Sequence, residues 1–69
     1  MSAFRVFREP DAWVVVNSDF SKNTYKYLGD VDEEIQSRLA VMLAAPVGWS
    51  QKGIGRRVSD DAFWVFLES

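Results

Sequence analysis

The sequence predicts an α+β domain: one antiparallel sheet of four or five strands, with a single helix at about 30–45 packed on one face. Three observations point there. At 69 residues the chain is read as one domain over 1–69. Short β-branched and aromatic runs, bracketed by turn residues, stand before and after one stretch with a helical apolar period. Their order is β-β-(β)-α-β-β, strands in succession rather than strands alternating with helices, which favours antiparallel pairing.

Ala3 to Arg8 mixes Phe4, Val6 and Phe7 with two arginines and reads as a half-buried strand. Glu9-Pro10-Asp11-Ala12 is a turn, because Pro fixes φ near −65° and suits the second position of a type I turn. Trp13-Val14-Val15-Val16 is a second strand that ends at Asn17-Ser18-Asp19, and the two strands make a hairpin. Residues 17–24 form a polar loop with one phenylalanine, Phe20. Thr24 to Leu28 alternates Tyr25 and Tyr27 with Lys26, a short third strand.

Asp30 to Ala45 carries the helical signal. Asp30 suits an N-cap with Glu33 three residues on, and Asp32, Glu33 and Glu34 favour the positive end of the helix dipole. Val31, Ile35, Leu39 and Met42 or Leu43 mark one buried stripe, and Pro46 stops the helix. Val47 to Gly53 is a connector with an isolated Trp49. Ile54 to Ser59 and Ala62 to Leu67 form a C-terminal hairpin around Asp60-Asp61.

Composition narrows the function. With 48% hydrophobic and 26% charged residues the chain is not of the disordered class. No apolar run reaches the ~18 residues of a membrane span. There is no Cys and no His, so disulfides, thiol and imidazole chemistry and the common zinc sites are excluded, and no cofactor is expected. Carboxylates leave calcium or magnesium open, but the acidic group Asp30, Asp32, Glu33 and Glu34 lacks the spacing and central glycine of a calcium loop. Asp60 and Asp61 are adjacent in an exposed turn with no partner group, which leaves no catalytic constellation, and a non-enzymatic protein is expected. The absence of Cys and of an apolar leader makes the cytoplasm the expected compartment.

Small domains are marginal: about 60 residues bury only ~60% of the unfolded surface, and most add a disulfide, a metal or a partner. Here good packing or association remains. Strand alternation says where association would occur. Phe63, Val65 and Leu67 share one face and Trp64, Phe66 and Glu68 the other. Phe4, Val6 and Arg8 share a core face, and Arg5 and Phe7 point outward. Both parities of Trp13 to Val16 are apolar. Ile54 and Val58 are placed inward and Arg57 outward. One helix covers one face, so Trp64, Phe66, Arg57, Arg5 and Phe7 are expected to form a partner-binding face, for a second copy or a larger protein. The competing expectation is that the 17–28 loop, with Phe20, Tyr25 and Tyr27, or the Trp49 connector folds over that face.

A second function reads the same rings as a single-stranded nucleic-acid platform with Lys52, Arg56, Arg57 and Trp64. Lys52-Gly53-Ile54-Gly55-Arg56-Arg57 lacks the third glycine and following helix of a dinucleotide loop. A net charge of −2 with pI ≈ 4.9 disfavours general phosphate-backbone binding. In length, acidity and aromatic content the chain resembles the small proteins encoded by bacteriophages, a likeness carried by no motif, and it implies an inhibitor that binds and blocks a host protein.

Overall fold

A computed structural model describes residues 2–67. The chain runs β1 (Ser2–Glu9), β2 (Ala12–Val16), β3 (Lys22–Tyr25), a 3-10 turn (Leu28–Asp30), α1 (Glu33–Leu43), β4 (Ser50–Gln51), β5 (Gly55–Arg57) and β6 (Ala62–Leu67). The α+β class, with one antiparallel sheet and one helix, is the one expected. The sheet has six strands rather than four or five, in the order β3-β2-β1-β6-β5-β4. It is two three-stranded meanders joined along β1 and β6, which pair from Ser2 opposite Leu67 to Phe7 opposite Ala62.

The extra strand lies in the stretch read as a connector. Ser50 pairs with Arg56 and Gln51 with Gly55. The ladder continues through Gly48 N–H to the Arg57 carbonyl and Arg57 N–H to the Trp49 carbonyl, both 2.8 Å. Backbone pairing makes this strand, and its exposed Ser50 and Gln51 carry no apolar alternation to announce it. Ile54 belongs to the turn before β5 rather than to the strand. The third strand runs over 22–25, so it starts two residues before the expected Thr24 and leaves Tyr27 outside.

The helix is shorter than 30–45, and Asp32, not Asp30, is its N-cap: the Asp32 carboxylate accepts the Glu34 N–H at 3.0 Å. Asp30 closes the 3-10 turn instead. Gln36 Nε2 donates to the Leu28 carbonyl at 2.8 Å and ties that turn to the helix. Val31, between the two, is buried with Ile35, Leu39 and Met42 as the stripe required. These side chains lie on Val6, Val15, Phe63 and Val65 of the sheet. Among the described residues no helix is long and apolar enough to cross a membrane.

β3 and β4 are opposite edges, so the connection between them must traverse the whole sheet. It does so on one side only. The 3-10 turn, α1 and Trp49 therefore all pack against the same face.

Candidate functional site

Strand register fixes what the uncovered face presents. Phe7 stands opposite Val14 and Ala62, Arg5 opposite Val16 and Trp64, Ala3 opposite Phe66, and Arg56 opposite Trp64. Burial separates the two faces. On the helix side Val6 and Val65 are 0% exposed. On the outer side Phe7, Val14, Val16, Trp64 and Phe66 are only half-buried, shielded by one another and by strand neighbours. Neither loop closes over them. Tyr25 and Trp49 pack against the helix-side core. Tyr27 is 62% exposed, with Lys26 Nζ 5.6 Å from its ring centroid.

The outer face is cationic, although the chain is acidic overall. The Arg5 guanidinium lies 5.0 Å from the Trp64 ring centroid and 5.9 Å from that of Phe7, within cation–π range of both. Arg56 stands beside Trp64, and Lys22 is opposite Val16 on the same side. Of the described carboxylates, Glu9 alone shares the outer parity of the strands, at the turn end of β1; the others lie around the two hairpin turns, at the helix start and in the 17–21 loop. Glu9, the nearest along β1, is about 13 Å down the strand from Arg5. Glu68, placed on this face by alternation, lies outside the described residues. Among the described residues the one ion pair is Arg8 to Asp61 at 2.9 Å, at the turn end.

Two shallow hollows flank Trp64. One, of about 540 Å³, is walled by Phe66, Val58 and Arg56. The other, of about 270 Å³, is walled by Val16, Phe20 and Arg5. Each joins apolar walls to one guanidinium, and Ala3 lies in both. A separate hollow of about 410 Å³ lies beside the first hairpin turn, between Arg8 and Tyr27. Its cations are already engaged, Arg8 by Asp61 and Lys26 by the Tyr27 ring.

Phe20 forms the rim of the smaller hollow and is 83% exposed. Its φ is +70°, in the left-handed region. Phe20 N–H donates to the Asn17 carbonyl at 2.9 Å, closing a turn whose last residue has the conformation usually given to glycine. A bulky residue there costs about 1–2 kcal/mol. The surroundings hold it in place. Asn17 Nδ2 donates to Ser21 Oγ at 2.9 Å and to Asn23 Oδ1 at 2.8 Å, and Ser18 Oγ donates to the Ala3 carbonyl at 3.1 Å. The Asp19 carboxylate accepts from Ser21 Oγ at 2.6 Å and from Ser21 N–H at 3.0 Å. These two bonds hold the Asp19 carboxyl below its ordinary value.

Of the residues expected at this face, Trp64, Phe66, Arg5 and Phe7 come together. Arg57 does not. It lies on the helix side, where its Nη1 donates to the carbonyls of Met42 (3.3 Å), Leu43 (3.4 Å) and Ala45 (2.7 Å). The reason is Gly55, two residues earlier on the same face. A Cβ there would strike the Trp64 carbonyl and approach Met42 Sδ to 3.0 Å, so only glycine can sit under the helix. That sets the parity of β5 and turns Arg57 inward and Arg56 outward. Val58, placed inward from sequence, is 49% exposed and lines the larger hollow. Lys52 lies in the turn between β4 and β5 and lines neither hollow. Val58 and Phe20 are face residues that sequence reasoning did not select, and Val14 and Val16 are the outward pair of a strand whose two parities it left open. A lone phenylalanine in a polar loop was the available signal for Phe20.

The chain matches no family model, no curated protein and no solved structure.

Proposed function

We propose that this chain is a non-enzymatic interaction module that acts stoichiometrically, as a subunit or inhibitor on another protein, through the sheet face opposite the helix. The observation that carries the reading is the half-buried set Phe7, Val14, Val16, Trp64 and Phe66, without a covering element among the described residues, with an almost fully exposed Phe20 at its rim. Large aromatics bury ~150–250 Å² each and, with arginine, supply most interface hot spots. The molecule measures 26 × 26 × 19 Å, so its broad face offers on the order of 700 Å², close to the ~800 Å² per partner of a standard interface.

The nucleic-acid reading draws less support. Base stacking needs a free ring face, and Arg5 already lies over Trp64. Arg57 is turned into the helix end and Lys52 stands outside the hollows, which removes two of the three cations that reading requires.

A photo-crosslinking residue at Val58, on the outer side, and at Ala40, exposed on the helix, tests the proposal in cells that naturally make the chain. A discrete one-to-one protein adduct is expected from position 58 and none from position 40. Equal labelling from both positions, or none from position 58, would refute an outer-face module. An adduct of twice the chain mass identifies self-association.

A further inference from the structure

Resting on that reading, we infer that the outer face takes an acidic, apolar segment of a partner protein: two apolar side chains straddling Trp64, with carboxylates beside them for Arg5 and Arg56. Three features select this occupant. The first is charge. Arg5, Arg56 and Lys22 project on this face against one described carboxylate, Glu9 at the turn end of β1, while the others stand at the turns, the helix start and the 17–21 loop. A second copy docked face to face would set guanidinium against guanidinium, and guanidinium groups left unpaired in an interface are costly. An anionic partner reverses that sign and arrives faster through electrostatic steering.

The second feature is shape. The hollows lie on either side of Trp64, one toward β2 and one toward β5. β2 and β5 are three strand spacings apart, about 14 Å, the reach of about four extended residues. In an extended segment side chains two or four residues apart share one face, about 7 or 14 Å apart, so one segment fills both hollows with two apolar side chains. Each hollow brings its own arginine, so the matching carboxylates lie next to each anchor.

The third feature is Phe20. The 17–21 loop holds a phenylalanine at φ +70° and leaves the ring 83% exposed. Folding gains little from either property. Both make sense if the ring closes over a side chain seated in the smaller hollow, since backbone strain of this kind collects at binding sites.

The experiment is selection of a random displayed peptide library on the immobilised full chain. Recovered peptides are expected to combine Asp or Glu with two apolar residues two or four positions apart. Their affinity is expected to fall about tenfold or more for Arg5→Glu combined with Arg56→Glu, and similarly for Phe20→Gly. Phe20→Gly is expected to leave the melting temperature unchanged or raise it by about 4 °C. That separates a partner-facing ring from a structural one, and a lower melting temperature would overturn its role. Basic or neutral peptides, or binding indifferent to charge reversal, would overturn the inference. So would comparable binding of an oligothymidine at low salt, or a concentration-dependent dimer in sedimentation that Arg5→Glu disrupts. If position 58 still crosslinks a protein while the library yields nothing acidic, the inference fails and the interaction module stands. If crosslinking is blank as well, both fail.

Discussion

Replacing Arg57 with methionine separates a structural arginine from an interface one. Arg57 Nη1 serves the last carbonyls of α1, 2.7 Å from Ala45 and 3.3 Å from Met42, while Nη2 donates to the Asp60 carbonyl at 3.1 Å. The guanidinium also lies 5.4 Å from the Phe63 ring centroid. Helix C-termini leave carbonyls without intrahelical partners, and a cation there also meets the negative end of the dipole. Hydrogen bonds to a charged group contribute about 1.5–3 kcal/mol net, and Arg57 is half-buried, so water recovers part of that loss. The expected destabilisation is about 2 kcal/mol. For a domain of this size that lowers the melting temperature by roughly 8–16 °C. It is a large fraction of the ~3–10 kcal/mol a chain of this length commands. Arg57→Lys recovers less than half, because one ammonium cannot reach carbonyls on both the helix end and the hairpin turn. Arg56→Met, one residue away but on the outer face, changes stability by less than about 0.5 kcal/mol. Urea unfolding followed by circular dichroism measures all three. Equal stability of the Arg57→Met and Arg56→Met proteins would refute the inward placement of Arg57.

Three further outcomes follow from the same geometry. Gly55→Ala is expected to cost about 3 kcal/mol or more, since its Cβ meets the Trp64 backbone and Met42 Sδ at 3.0 Å; a protein with unchanged unfolding midpoint would contradict the close approach of β5 to β6 and α1. Asp32→Ala is expected to cost about 1 kcal/mol and Asp30→Ala less than about 0.5, and the reverse ranking in chemical unfolding would return the cap to position 30. Asp19 is held below its ordinary value by Ser21, so its contribution to loop order is full above the ordinary Asp value of about 3.9 and is lost as pH falls through the lowered one. Ser21→Ala is expected to move the Asp19 midpoint back up in a carboxyl-carbon NMR titration, and an unmoved midpoint would show that Ser21 is not the cause.

The elements that could be read in the sequence are those whose side chains do the folding. Ile35, Leu39 and Met42 had to be helical and buried because their spacing admits one apolar stripe. Phe63 and Val65 read as the helix side because their set, with Leu67, is apolar throughout, whereas Trp64 and Phe66 alternate in register with Glu68. What escaped was decided by backbone. β4 exists through its pairing with β5, and Ser50 and Gln51 would suit a loop equally well. The helix start shifted because Asp30 and Asp32 are both competent caps, and the 3-10 turn at 28–30 uses the first. The outward pair Trp64 and Phe66 was legible because their strand neighbours are strongly apolar. Arg57 was not, because the parity of a three-residue strand with two arginines in a row depends on where its glycine must fit.

The topology explains why an apolar outer face requires a reason beyond folding. Two meanders joined at β1 and β6 need one long connection, and that connection supplies the only covering layer among the described elements. The helix-side core closes without the outer side chains: Val6, Leu39, Met42 and Val65 are already 0% exposed. Outer positions in an antiparallel sheet are filled adequately by threonine, lysine or serine, and Thr24, Lys22 and Ser50 do this at the two edges. Strands β2, β1 and β6 do otherwise. Phe7, Val14, Val16, Trp64 and Phe66 gain only partial burial from one another, so part of their hydrophobic free energy remains unrealised in the isolated chain. Arg5 lies on two of the rings and stops the patch from being simply greasy, while adding a charge that a bare core would exclude. An apolar centre, guanidinium groups at its hollows and a strained aromatic at its rim together have the composition of interface hot spots, which is the ground on which the docking role is proposed.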